Sequence, residues 1–293
     1  MPQKPAIAIV GAGSLATSLA LALREAGYPI REIVCRDSRS SRERARKLAA
    51  KVGAQVVTGS QRSITASLLW FCVPDREIRA AASAFARREQ GSVRFAFHSS
   101  GAMPSSELDS LRRKGVAVAS LHPLMTFVPR SKPSLADVPF ALEGDPGAIR
   151  LARKIVRDLG GESFLLPASR KAAYHAWATF TSPLLLAFLV TLEEAARAAG
   201  LNPSDARRKS VPIIRQTLEN YSKLGPAHSF SGPIIRGDVQ TVAQHLAMLA
   251  SVPMARDVYV SLARSALRKL PAKNRLALGR LFKLRNPRAN STV

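Results

Sequence analysis

Three groups of residues in this sequence could do chemistry. The first is Gly11-Ala12-Gly13-Ser14-Leu15-Ala16, a GxGxxA pattern. In such a turn Gly11 permits the sharp reversal, Gly13 lets backbone N–H groups approach a pyrophosphate, and Ala16 is small enough for close packing. Ser14 and Leu15 would open a helix whose N-terminus adds partial positive charge toward phosphate. The second is Cys35-Arg36-Asp37-Ser38-Arg39-Ser40-Ser41-Arg42. Arg36, Ser38 and Arg39 suit a ribose 2′-phosphate, combining charge, fork geometry and hydroxyl donors. In a shifted register Asp37 would instead accept from ribose hydroxyls. The expected cofactor is therefore NADP, with NAD as the alternative.

The third group lies where further apolar runs end. Val73-Pro74-Asp75, His98-Ser99-Ser100-Gly101-Ala102 and Ser120-Leu121-His122-Pro123 each follow such a run. In an open parallel sheet, ligands bind beyond the carboxyl ends of the strands. Val73 and Pro74 are thus expected beside the cofactor. His98, Ser99 and Ser100 are expected to touch the nicotinamide ribose, its carboxamide or the substrate. His122 is expected to be a second donor or proton relay.

The elements that must position these groups follow from periodicity. Short apolar runs alternate with helical patterns through the first third of the chain, the signature of βαβ units. Strands are expected at Ala6–Val10, Glu32–Cys35, Gln55–Val57, Leu68–Val73, Val93–Phe97 and Val116–Ala119. Helices are expected at Ser14–Ala26, Ser40–Lys51, Asp75–Arg87 and Ser105–Lys114. Pro123, Pro129, Pro133 and Pro139 punctuate a loop expected to cross the cofactor cleft. Phe140–Leu142 and Ser163–Leu166 read as strands around a helix, Ala148–Leu159. The fold class is α/β, a doubly wound, mostly parallel Rossmann sheet followed by an all-helical domain. The boundary falls near Pro167, giving domains 1–166 and 167–293. One long helix is expected from Ser169 to Ala199, and Pro203 starts another. A loop then spans Gly225–Gly237, ahead of Val239–Leu249 and a final pair of helices.

Composition narrows the function classes. Lys and Arg outnumber Asp and Glu 44 to 20, a formal charge of +24, which attracts anions. Aromatics form only 6% of the chain and few lie among the basic runs, which argues against a nucleic-acid platform. Two cysteines, Cys35 and Cys72, exclude a disulfide framework, and no ligand cluster suggests a metal. A reducing, cytoplasmic setting fits, with no charged-then-apolar leader at the start. The most apolar stretch, Phe180–Leu192, is too short to span a bilayer and ends in Glu193 and Glu194; it reads as a buried core helix, with no membrane partner. Beyond Asp257 only basic charges remain, and the last residues are expected to be disordered.

VGAGSLA, HSSGA, SLHPLMTF, Lys171-Ala172-Ala173-Tyr174-His175, Ser231-Gly232-Pro233 and Arg236-Gly237-Asp238 follow one another in order. From Ala6 to about Leu249 the chain resembles Rossmann-like proteins that carry a C-terminal domain of unknown function. That family looks like a branch of the 6-phosphogluconate-dehydrogenase-like superfamily. The resemblance implies an NAD(P)-dependent oxidoreductase, often a homodimer, acting on a small-molecule substrate. Ketopantoate reduction is the first activity implied. Alternatives are a prephenate-type or β-hydroxyacid dehydrogenase, and a non-catalytic dinucleotide-binding protein with a basic partner-binding surface. The resemblance also implies a Lys and a polar residue four positions later, on one helical face toward the cleft. Lys171 and His175 fit those positions as catalytic groups beside His98. Ser182-Pro183 stands where the family tends to have Ser-Asn, so Ser182 is the substrate candidate there, and Arg236 could bind a substrate carboxylate.

Overall fold

In a computed structural model, residues 4–58, 64–87, 91–131 and 133–283 are described. The chain packs as two compact units, Met1–Phe180 and Thr181–Val293.

The first unit runs β1 (Ile7–Val10), α1 (Ser14–Glu25), β2 (Ile30–Cys35), α2 (Arg39–Val52), β3 (Gln55–Thr58), β4 (Leu68–Phe71), α3 (Asp75–Ala86) and β5 (Phe95–His98). It continues through a 3-10 turn at Ser105–Leu108 into α4 (Asp109–Arg112), β6 (Ala117–Pro123), β7 (Pro139–Gly144), α5 (Pro146–Asp158), β8 (Glu162–Leu165) and α6 (Lys171–Thr181). The strands form one sheet in the order β3-β2-β1-β4-β5-β6-β7-β8. Every described neighbour pair is parallel except β6 with β7.

Both faces of this sheet are covered, which is why its central strands read as unbroken apolar runs. Along β1, Ile7 and Ile9 face one layer while Ala8 and Val10 face the other. The first layer is supplied by α1, α2 and α5, through Leu19, Leu23, Leu48 and Ile155 among others. The second is supplied by α3 and the segment around α4, through Ile78, Phe85, Leu108 and Leu111. Each such fully buried aliphatic side chain contributes roughly 1.5–3 kcal/mol. The strand order reverses between β1 and β4, which creates a crevice at their carboxyl ends.

The second unit is helical: α7 (Pro183–Arg197), α8 (Pro203–Ser229), α9 (Pro233–Arg236), α10 (Val239–Met248), α11 (Pro253–Lys269) and α12 (Arg275–Leu281). Four of these helices start on proline, where the missing N–H would have no helical partner anyway. Its core is small, built from Val242, Leu246, Ala263, Leu267, Leu278 and Phe282.

Several expectations are corrected here. The helix expected from Ser169 to Ala199 is broken at Ser182-Pro183, because proline cannot donate the hydrogen bond that would carry α6 into α7. The stretch read as a buried core helix is exposed. No residue of α7 is buried, and Leu186 is 63% exposed. With its flanks, the helical stretch Ala168–Arg197 is long and apolar enough to cross a membrane by length and composition alone. The expected loop at Ser120–Pro123 is instead the end of β6, paired with β7 from Ser120↔Glu143 to Pro123↔Phe140. The Gly225 loop is a kink inside α8, where Gly225 takes φ 74°, followed by the short α9. The order of the last residues, with Arg285 and Arg288, lies outside the described residues.

Candidate active site

The crevice between β1 and β4 is lined by the glycine turn. Gly11 takes φ +109°, and a Cβ there would lie 2.5 Å from the Cys72 carbonyl oxygen and 3.3 Å from Val73 Cγ1. Only glycine satisfies both the dihedral and the contact. Gly13 is the opposite case, since a Cβ there would meet nothing within 4 Å. It precedes α1 without a side-chain cap, and the first turn carries no acidic residue. Ser14 and Leu15 open this helix of 12 residues, so their N–H groups have no intrahelical partner and sit at its positive end. These residues fit a dinucleotide pyrophosphate. Pro74 leads from β4 into α3.

At the end of β2 the candidates are partly engaged. Arg36 Nη1 donates to Glu77 Oε1 at 3.2 Å. Asp37 is ion-paired with Arg42, so the alternative ribose acceptor already has a partner. Ser38 caps α2 by accepting from the Ser41 N–H at 3.3 Å, and Arg39 is the first residue of that helix.

The loop after β5 is built by internal hydrogen bonds. The ring of His98 is fully buried, with Nε2 3.0 Å from the Pro104 carbonyl and Nδ1 accepting from the Ser100 N–H at 3.2 Å. A carbonyl can only accept, so the His98 proton is on Nε2. Burial is the main force pulling its pKa from 6.5 down to about 4. Ser99 Oγ accepts from Trp70 Nε1 at 2.9 Å. Ser100 Oγ accepts from the N–H groups of Ala102 and Met103. The side chains of His98, Ser99 and Ser100 thus shape the loop.

Behind this loop lies Lys171. It is 1% exposed, and its Nζ donates to the Ser100 carbonyl at 3.1 Å and to Ser120 Oγ at 2.7 Å. Burial lowers its pKa from 10.5 to about 8, against the opposing pull of Glu143 and Asp75. Between those two values the unfolded chain holds the extra proton, so stability rises with pH across that window. Below pH 8 the buried ammonium costs about 3 kcal/mol. Urea denaturation should show wild-type protein gaining stability from pH 8 to 10.5 and Lys171→Met lacking that gain. A gain of equal size in the variant would refute a buried, charged Lys171.

His122, on β6, meets α6. Its Nδ1 is 2.8 Å from the Tyr174 hydroxyl, and its ring centroid is 6.2 Å from that of His175. Burial, then the Lys171 and His175 charges, lower the His122 pKa to about 4. Burial also pushes Tyr174 up to about 12. Both histidines border Gly101, where a Cβ would fall 2.8 Å from His175 Cδ2 and 2.9 Å from His122 Nε2.

The structure therefore brings His98, Ser99, Ser100, His122, Lys171 and His175 together within the first unit. Sequence reasoning had assigned no role to Tyr174, Gly101 or Glu143; the Lys171-to-Tyr174 helical spacing was the available signal for Tyr174. Ser182 and Arg236 belong to the second unit. Ser182 precedes α7 without a side-chain cap bond, and Arg236 Nε donates to Asp238 Oδ2 at 2.9 Å.

Residues 1–123 match the Rossmann-like domain family, and residues 138–266 match DUF2520, a domain of unknown function. No protein of curated function matches the chain. Among solved structures, the chain resembles a protein from Bacteroides fragilis assigned as an NADP oxidoreductase, at 24% identity and TM-score 0.72 over 89% of this chain and 97% of that one. A Thermotoga maritima protein is similar at 24% identity and TM-score 0.69, over 88% and 95%. A reductive aminase from Aspergillus terreus, in complex with NADPH and ethyl-5-oxohexanoate, is similar at 12% identity and TM-score 0.59, over 91% and 95%. The sheet with its glycine turn and the helices that follow are thus those of a Rossmann-like protein whose C-terminal part is a DUF2520 domain.

Proposed function

We propose that the protein is an NADPH-dependent reductase that delivers a hydride to the C=O or C=N carbon of a small acid, with ketopantoate the first substrate to try. One observation carries the reading. At the carboxyl edge of a single sheet, a bare helix N-terminus behind Gly11 and Gly13 accompanies a desolvated Lys–Ser–His cluster on β5, β6 and α6. When bound, the dinucleotide supplies the hydride. The chain's own residues bind, orient and protonate. Gly11, Gly13, Ser14 and Leu15 hold the pyrophosphate, while Arg36, Ser38 and Arg39 hold the 2′-phosphate. Val73 and Pro74 wall the crevice. His98, with Ser99 and Ser100, keeps the β5 loop in shape. Lys171 clamps the Ser100 carbonyl from behind and lends positive charge to the site. His175, exposed on α6, hands a proton to the substrate heteroatom. Residues 167–293 form the substrate and dimerisation domain, with Ser182 and Arg236 as its substrate contacts.

The likeness to the B. fragilis protein and to the NADPH-bound reductive aminase supports this cofactor, and so does the pairing of Asp37 with Arg42. We assign the exposed apolar side chains of α7 and α8, including Leu186, Phe188, Ile213, Leu218 and Tyr221, to a second copy of the chain. Pro183 and the charged end of α7, Glu193, Glu194 and Arg197, favour that partner over a bilayer. Two unpaired cysteines suit a reducing cytoplasm.

Calorimetric titration with NADPH and NADH at near-physiological salt tests the reading. Tight NADPH binding with weak NADH binding supports it, and binding of neither sinks it. Arg36→Ala should weaken NADPH about 10-fold or more, the loss of one charged hydrogen bond, and leave NADH unchanged. Equal weakening of both would remove Arg36 from the 2′-phosphate site.

A further inference from the structure

Tyr174 touches the site through one hydrogen bond, and that bond decides where a proton sits. Its hydroxyl is 2.8 Å from His122 Nδ1, and the two rings meet edge to face with centroids 5.5 Å apart. Among the described residues the hydroxyl has no other hydrogen-bond partner, and Tyr174 is 7% exposed. Were the imidazole to donate to the phenol, the phenol's own proton would be buried without an acceptor, at a cost of about 1–3 kcal/mol. Donation from the phenol to Nδ1 avoids that cost. The His122 proton then lies on Nε2.

Nε2 itself has no hydrogen-bond partner among the described residues. It lies 2.9 Å from where a Cβ on Gly101 would stand. His175 Cδ2 closes the same space, 2.8 Å from that point. A side chain at 101 would thus collide with both rings, so glycine lets them pack against the β5 loop, while His122 itself remains only partly buried. The groups facing His122 are the Lys171 ammonium, His175 and the Tyr174 phenol. With two cationic or potentially cationic neighbours and little solvent, the imidazole stays neutral. A neutral imidazole N–H can polarise a carbonyl without being consumed as an acid.

We propose that Tyr174 is a positioning residue that fixes His122 as the Nε2–H tautomer, and that His122 donates this hydrogen bond to the carbonyl oxygen of the substrate. The assignment rests on the reductase reading above and narrows it. A donor of this kind recognises a lone pair, so the substrate is a carbonyl compound and not an iminium cation. In the reduction the carbonyl carbon gains a hydride from the reduced dinucleotide, the C=O π pair moves to oxygen, and oxygen takes its proton from solvent by way of His175. His122 keeps its own proton throughout.

Nitrogen-15 NMR of histidine-labelled full-length protein reads the tautomer with no substrate present. Wild-type His122 should show a protonated Nε2 and an unprotonated Nδ1 from pH 6 to 8, and Tyr174→Phe should convert it to a tautomer mixture. A proton on Nδ1 in the wild type, or an unchanged tautomer in the variant, overturns the proposal. In turnover of a 2-oxo acid, Tyr174→Phe should lower kcat about 10-fold with the KM for NADPH unchanged. His122→Ala should lose about 100-fold or more, the effect of removing one preorganised donor. His122→Gln, whose amide can still donate, should recover part of that loss, whereas equal loss in both variants excludes a donor role. NADPH binding with turnover of cyclic iminium compounds alone would refute the substrate assignment and leave the reductase reading standing. Absence of NADPH binding would refute that reading and leave the tautomer result intact.

Discussion

Gly11→Ala is expected to abolish dinucleotide binding and to lower the thermal midpoint of the first unit. At φ +109° an L-residue is strained, and the added methyl would lie 2.5 Å from the Cys72 carbonyl oxygen, well inside van der Waals contact. Neither neighbour can yield easily. Gly11 N–H is tied to the Val34 carbonyl at 2.8 Å, and Cys72 N–H to the Val10 carbonyl at 2.8 Å, so both sides of the contact are fixed by strand pairing. Strain of this kind costs about 1–3 kcal/mol before the clash is counted. The backbone relieves it by moving the turn away from β4, which misaims the N–H groups at the start of α1. Differential scanning calorimetry should show the lower midpoint, and titration should show NADPH affinity reduced at least about 100-fold, equivalent to about 3 kcal/mol. Gly13→Ala is the informative partner, because its Cβ would meet no protein atom. It should fold normally and lose affinity only if a ligand occupies that space. Wild-type affinity in Gly11→Ala would refute the glycine turn as the pyrophosphate site.

Acid should unfold the protein early. His98 and His122 are each held neutral, with folded pKa values near 4 against an unfolded value of 6.5. As pH falls below 6.5 the unfolded chain takes up protons that the folded chain refuses. Stability that is complete above pH 6.5 is therefore lost progressively as pH approaches 4. At pH 5 the loss amounts to about 2 kcal/mol for each histidine, a large share of the 5–15 kcal/mol that typically separates folded from unfolded chains. Urea midpoints measured at pH 7, 6 and 5 should fall steeply, with a shallower fall in His98→Asn. A profile that is flat over this range would mean that one or both imidazoles reach water.

Much of the first unit was legible because its signals are local. The apolar run Ile7–Val10 and the GxGxxA turn each lie within a few residues of what they determine. The mistaken segments depend on distant partners. Pro123 reads as a breaker, yet it closes β6 because β7 returns antiparallel and pairs it with Phe140. Leu184, Leu186 and Phe188 carry the same hydrophobicity whether they fill a core or an exposed face, so sequence alone placed them inside. Lys171 was read as facing a cleft, but its partners Ser100 and Ser120 are 71 and 51 residues away. No helical spacing reports such contacts. The same holds for Tyr174 and His122, separated by 52 residues. The chemistry-bearing residue types were visible, whereas the direction each one faces was set by strand order.

That strand order also bears on how the molecule assembles. From β4 to β8 the order in space repeats the order in the chain, so each strand emerging during synthesis finds its neighbour already made. The pairing of β1 with β4, Ile7 against Leu68, is different. It must wait for two intervening strands and two helices, and the long loop it closes carries the largest entropic penalty in the sheet. The same seam forms the crevice proposed for the dinucleotide. The longest-range pairing in the sheet is therefore also the one that creates a place for the ligand, and a ligand bound there can favour the completed fold by mass action.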